Sequence, residues 1–278
     1  MLPCLVRNSM VMIENRKIFH YRLIIAFICI CSSINAVKAQ NTTYNQFSNE
    51  IQFTEALKNK FSAELNFGQA YTSTPPDNKS MFAKASQFYL RAWIHYQLNA
   101  KWKLSYFHSF FLNKSIPEID QNNYHELRSA IQGIYYMHKI GYTLQSRFRI
   151  EDRQIQNASK TYEAYYRLRT QVKYTKPINN KILRKGVYYG FGSEEFFFKT
   201  QAALTGKDFF DRNRFTLGAG YCFTDDLQME ISYANEYLPR NNGNQTYHTF
   251  QANFTFNDVL KKIKSKTKII QAIDGNNN

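Results

Sequence analysis

The chain has 278 residues, a formal charge of +15, four cysteines, and 20 tyrosines and 23 phenylalanines against two tryptophans. That length suits one domain of moderate size. Cys4, Cys29 and Cys31 all precede residue 40, so Cys222 stands alone after it, which excludes an intrachain disulfide framework or a cysteine-based metal site there.

Residues 1–39 have the layout of a cleaved export signal. Arg16, Lys17 and Arg22 form a basic lead and Leu23 to Cys31 an apolar core. Val37 and Ala39 are small enough for the two positions a signal peptidase inspects. The apolar core is too short to cross a bilayer as a helix. Cleavage after Ala39 leaves 239 residues and lowers the charge to +11, because Arg7, Arg16, Lys17, Arg22 and Lys38 depart together with Glu14. An exported basic chain meets anionic headgroups and acidic glycans rather than nucleic acid.

From residue 40 onward the sequence alternates polar with apolar. Phe47 to Leu57 and Phe61 to Tyr71 open the series of predicted strands. Phe88 to Leu98 sets Phe88, Leu90, Ala92 and Ile94 against Arg91, His95 and Gln97. Trp102 to Leu112 and Tyr124 to Met137 follow. In Tyr142 to Arg153, Tyr142, Leu144, Ser146, Phe148 and Ile150 share one face and Arg147, Arg149, Glu151 and Arg153 the other. The next strand opposes Tyr162, Ala164, Tyr166 and Leu168 to Glu163, Arg167 and Arg169. Val187 to Phe198, Phe209 to Cys222, Leu227 to Tyr237 and Tyr247 to Phe256 complete the series.

These windows are about ten to fourteen residues long, against about five or six for an ordinary globular strand and nine to eleven for a tilted bilayer crossing. Short connections alternate with long polar ones, except at Thr175 to Lys185. The pattern predicts an all-β fold, a closed antiparallel transmembrane barrel of ten to twelve strands over residues 40–260, followed by a basic tail over 261–278. Eleven windows are visible. An even count is the rule for such barrels, so twelve is expected, with Asn41 to Glu50 able to hold the missing strand.

Four pieces in order, Arg147-Phe-Arg-Ile-Glu-Asp-Arg153, Arg167-Leu-Arg169, Glu194-Glu195-Phe196, and Asn213-Arg214 followed by Gly218 and Tyr221, resemble the DUF2490 family, predicted outer-membrane barrels common in Bacteroidota. The resemblance implies a β-barrel in the cell outer membrane and no established activity. The basic tail after Phe256 departs from the aromatic end that many such barrels present to the insertion machinery.

The candidate site is a ladder of charges on successive strands: Arg128, Arg147, Arg149, Glu151, Arg153, Glu163, Arg167, Arg169, Glu195, Arg212 and Arg214. Facing lipid, each arginine would cost about 2–4 kcal/mol at mid-depth, so the ladder belongs in the lumen. There it is either an anion-attracting constriction for small anionic solutes or a salt-bridged plug. Both signs are present, which favours the plug. Two further readings are a lipid- or glycan-modifying barrel enzyme and a soluble periplasmic lipocalin-like binder. A lipid hydrolase of this membrane needs an activated serine near a histidine at the lipid-facing rim. His108 and Ser109 are adjacent and so point to opposite faces, and no cue joins His95, His125 or His248 to a serine. No enzymatic activity, cofactor or metal is expected. Tyr71, Tyr96, Tyr106, Tyr142, Tyr174, Tyr189, Tyr221 and Tyr237 tend towards strand ends, as interfacial girdles do. Gly218 and Gly220 alternate within one strand and relieve crowding.

Overall fold

A computed structural model describes residues 41–117, 123–203, 206–240 and 243–259. The leader at 1–39 and the tail at 261–278 lie outside these residues. Eleven strands form one sheet that closes on itself: β1 Thr42–Ala56, β2 Phe61–Thr72, β3 Lys84–Gln97, β4 Trp102–Asn113, β5 Tyr124–Lys139, β6 Tyr142–Gln156, β7 Tyr162–Pro177, β8 Tyr188–Lys199, β9 Phe210–Cys222, β10 Leu227–Leu238 and β11 Gln245–Asn257. Each consecutive pair is antiparallel.

The all-β closed barrel agrees with the sequence, but the count is eleven and not the expected twelve. Asn41 to Glu50 adds no separate strand. It is the beginning of β1, which runs unbroken from Thr42 to Ala56. With an odd number of alternating strands the first and last run the same way, so β1 and β11 must join in parallel, from Thr42 beside Gln245 to Thr54 beside Asn257. Backbone bonds close both ends of this seam: Thr42 N–H to Asn244 O at 2.9 Å and Asp258 N–H to Thr54 O at 2.8 Å. β1 therefore begins at the rim of the long connections and β11 ends at the rim of the short ones.

The short rim carries tight turns. Asn59 and Lys60 both have positive φ (54° and 68°), the geometry that matches strand twist in a two-residue hairpin. The connection 178–187 is the long exception here. Asn179 holds it by donating to Gly186 O and accepting from Tyr188 N–H, each at 2.9 Å.

Alternation separates the two faces. Outward, Ile131 is 66% exposed and Phe148 and Ile150 are each 59% exposed. Near the short turns the outer face bears aromatic pairs across strand after strand: Phe53–Phe256, Phe61–Tyr96, Trp102–Tyr135, Tyr142–Tyr174 and Tyr188–Tyr221, with centroids 4.4–5.5 Å apart. Tyr189 does not join this outer belt. It turns inward, is buried, and donates to Glu230 at 3.1 Å. Its ring lies over Gly220, where a Cβ would sit 2.3 Å from Cζ, and Phe191 covers Gly218 in the same way at 2.4 Å. These rings are what the two glycines of β9 make room for.

Two register shifts matter for the interior. One lies at Ala70/Tyr71. The other, at Phe197/Phe198, leaves Asp211 as an extra residue in β9, since Phe197 faces Arg212 and Phe198 faces Phe210. A bulge of this kind lets neighbouring residues share a face. Asp211 and Arg212 are accordingly both buried.

Candidate functional site

The inward faces of β5 to β10 carry a charge network. Its hub is Glu151 on β6, fully buried. Arg167 donates Nη2 and Arg169 donates Nη1 to the two oxygens of this carboxylate at 2.7 and 2.8 Å, and Arg149 Nη1 approaches at 3.3 Å. Period two places these residues on one face, and the pairing of β6 with β7, Glu151 directly opposite Arg167 and Arg149 opposite Arg169, brings them into reach.

From Glu151 the contacts run in a closed circuit. Arg169 also donates through Nε and Nη2 to Glu195 on β8, at 2.8 and 3.0 Å, a bidentate grip. Arg214 bridges Glu195 (3.8 Å) to Glu236 (2.8 Å). Arg212 bridges Glu236 (3.3 Å) to Asp211 (3.0 Å), and Arg167 returns from Asp211 (3.9 Å) to Glu151. Four arginines alternate with four carboxylates. Phe197, only 1% exposed, sits among them: the guanidinium carbons of Arg167, Arg169, Arg212 and Arg214 lie 4.4–5.6 Å from its ring centroid. Desolvated cation–π contacts of this kind are worth about 2 kcal/mol or more each.

Beside the circuit, Arg153 grips Glu126 through Nε (2.6 Å) and Nη2 (2.8 Å), and Arg128 shares the same carboxylate at 2.7 Å. Arg128 stacks over Phe111 at 4.1 Å. Arg147 donates to Glu195 at 2.5 Å. Arg149 has a neutral amide as its main acceptor, Gln132 Oε1, at 2.6 and 2.8 Å. Asp211 further receives Arg240 at 2.8 Å.

Ten of the eleven sequence-predicted residues thus meet in one interior network. Glu163 is placed differently, at the rim of β7, where its carboxylate accepts the Ala203 N–H of the β8–β9 connection. Sequence reasoning passed over Glu126, Asp211, Glu236 and Phe197. Glu126 and Glu236 share parity with Arg128 and the polar face of β10 and were findable by period. Asp211 was hidden by the bulge and Phe197 by its apolar character.

The sequence profile of a family described as a protein of unknown function, DUF2490, matches residues 41–247. The chain belongs to the DUF2490 family. No curated protein matches it. Of the four pieces that resemble DUF2490, the first two supply six inward residues in β6 and β7. The other two pin β8 to β9 from both sides: Glu195 pairs with Arg214 inside at 3.8 Å, and Asn213 donates to Glu194 outside at 3.2 Å.

Outward polar groups form a smaller set. His108 on β4 pairs through Nδ1 with Ser129 Oγ on β5 at 2.9 Å, a partner across strands and not its sequence neighbour. Asp152 on β6 lies opposite Ser129, with Gln154 donating to it at 3.2 Å. Ser109 instead turns inward and donates to Arg128 O at 3.0 Å.

Proposed function

We propose that this DUF2490 chain is a non-enzymatic outer-membrane β-barrel, exported behind a cleaved leader, in which the ion-paired network acts as a structural plug. The observation that carries this reading is the sidedness of the wall. Large apolar side chains stand exposed outside while nearly every buried charge points in. A water-soluble barrel has the reverse preference, and soluble monomers rarely expose contiguous apolar surface beyond a few hundred Å². The strands, 12–16 residues long, exceed the length needed to cross a bilayer at a tilt. The aromatic pairs beside the short turns fit a girdle at a membrane interface. On this reading the partners are the lipids of that membrane and the barrel insertion machinery, with no nucleic acid among them.

Energetics supports the plug. The circuit's carboxylates and guanidinium groups are mutually paired, and breaking a buried ion pair to open a passage costs about 3–5 kcal/mol. Membranes from expressing cells, extracted with alkaline carbonate, are expected to retain the chain, and its gel mobility is expected to change on heating. Refolded into planar bilayers it is expected to give no steady conductance. Release by carbonate supports the lipocalin-like alternative, and stable ohmic steps overturn the plug in favour of a narrow pore.

The pairing of His108 with Ser129 supports a second reading, a lipid-modifying enzyme with Ser129 as nucleophile. It is the weaker one, because Asp152 flanks the serine and not the histidine it would need to orient. A phospholipid-hydrolysing activity that disappears in Ser129→Ala would establish it.

A further inference from the structure

Among the described residues the interior charges do not cancel. A cavity of about 520 Å³ is lined by nine arginines and Lys173 but only five glutamates. Glu151 and Asp211 stand behind that lining, so ten cations face seven carboxylates. The four-by-four circuit around Phe197 is balanced. Outside it Arg128 and Arg153 share Glu126, and the rest of the excess lies in Arg147 and Arg149 on β6, beside Arg91 on β3.

Each of these three is poorly matched. Arg91 reaches Glu50 only at 3.7 Å, and its Nε–H is buried without an acceptor among the described residues. Glu50 is already engaged by Asn66 Nδ2 at 2.9 Å and by the Tyr89 hydroxyl. Arg147 shares Glu195 with Arg169 and Arg214, and its Nε–H is likewise buried without an acceptor among the described residues. Arg149 has an uncharged amide as its nearest acceptor and reaches Glu151, which Arg167 and Arg169 already hold, only at 3.3 Å. Arg91 and Arg149 also approach the same two rings: their guanidinium carbons lie 5.9 and 5.2 Å from the Trp93 centroid and 5.4 and 5.5 Å from that of Phe107. Like charges crowded on one aromatic pair repel each other, and an anion placed among the guanidinium groups that line the cavity offsets that cost. The volume is within the range of small-ligand pockets.

We propose that the lumen binds a compact solute bearing two or more phosphate or carboxylate groups, seated against Arg91, Arg147 and Arg149. This rests on the reading of the interior as a closed, ion-paired lumen, since a conducting pore would pass such a solute rather than hold it. The wall is a continuous hydrogen-bonded sheet, so the anion enters from a rim as a free solute, not sideways as a lipid headgroup.

The test is calorimetric titration of the refolded full-length chain in detergent with inorganic pyrophosphate, citrate, dihexanoyl phosphatidic acid and, as an uncharged control, glucose. Pyrophosphate or citrate is expected to bind one to one, more weakly at higher salt. Arg91→Gln and Arg147→Gln are each expected to weaken that binding about tenfold. Glu195 keeps Arg169 in Arg147→Gln, and a heat-modifiable band verifies that each variant is folded. Absence of binding by both soluble anions at millimolar concentration overturns the proposal, as does binding that neither variant alters. Binding of the phosphatidic acid alone overturns the free-solute assignment. Loss of carbonate resistance with anion binding intact would overturn the membrane reading and leave this one standing.

Discussion

The two halves of the lumen wall are built on different chemistry. From β5 to β10 the inward side chains form a connected set of guanidinium and carboxylate groups around Phe197. At the seam, the inward side chains of β1 and β11 that line the cavity are Gln46, Ser48, Tyr247, Thr249, Gln251 and Asn253, with Glu50 as the one carboxylate. Gln46 ties the seam together, donating to Thr72 on β2 at 3.4 Å and accepting from Thr249 on β11 at 3.3 Å. Parallel pairing is slightly less stable per residue than antiparallel pairing. Charge is thus concentrated where hairpins already fix the register, and the junction that closes the barrel relies on the backbone ladder and neutral amides. The contrast teaches that the network is not what closes the ring. It stiffens the far wall and narrows the interior.

Substitutions can break or sharpen that contrast. The largest effect is expected for Glu151→Gln, which removes the charge that holds Arg167, Arg169 and Arg149. Loss of one member of a buried ion pair costs about 3–5 kcal/mol, to be read as a lower midpoint of urea unfolding in detergent. A shift no greater than that of a surface variant would mean that the network contributes nothing to stability. Next comes Phe197→Leu, which preserves bulk and removes the π face shared by four arginines. About 2 kcal/mol is expected by the same measurement, and a neutral result would reduce Phe197 to filler. The smallest effect is expected at the seam: Gln46→Ala removes two long hydrogen bonds and should cost about 0.5–1.5 kcal/mol. If Gln46→Ala proved as damaging as Glu151→Gln, the two walls would not differ as described.

How much of this was legible beforehand follows the same physics. The hairpins of β2 to β10 were readable because a wall with apolar side chains on one side and charge on the other writes strict alternation over long windows. The start of β1 was not. There Thr43, Asn45 and Asn49 point outward while Gln46 and Ser48 point inward, so both faces are polar and the period disappears. With that segment ambiguous, the even-number rule suggested a twelfth strand, and the parallel closure carries no signal in local sequence. The ladder residues were recognisable by parity alone. Parity failed where the backbone left its regular pleat, at the bulge that turns Asp211 inward beside Arg212, and at the rim, where Glu163 serves a loop amide. The cross-strand partnership of His108 and Ser129 depended on the register of β4 against β5, which spacing along one strand does not fix.

The central claim, apolar residues against lipid and charges within an enclosed lumen, is tested most directly by cysteine labelling in intact membranes. In a Cys222→Ser background, Ile150→Cys is expected to react with an apolar, membrane-permeant maleimide and to resist a charged, water-soluble one, while Gln145→Cys shows the opposite order. Modification of Ile150→Cys by the water-soluble reagent, at the rate of a residue in bulk water, would contradict the account.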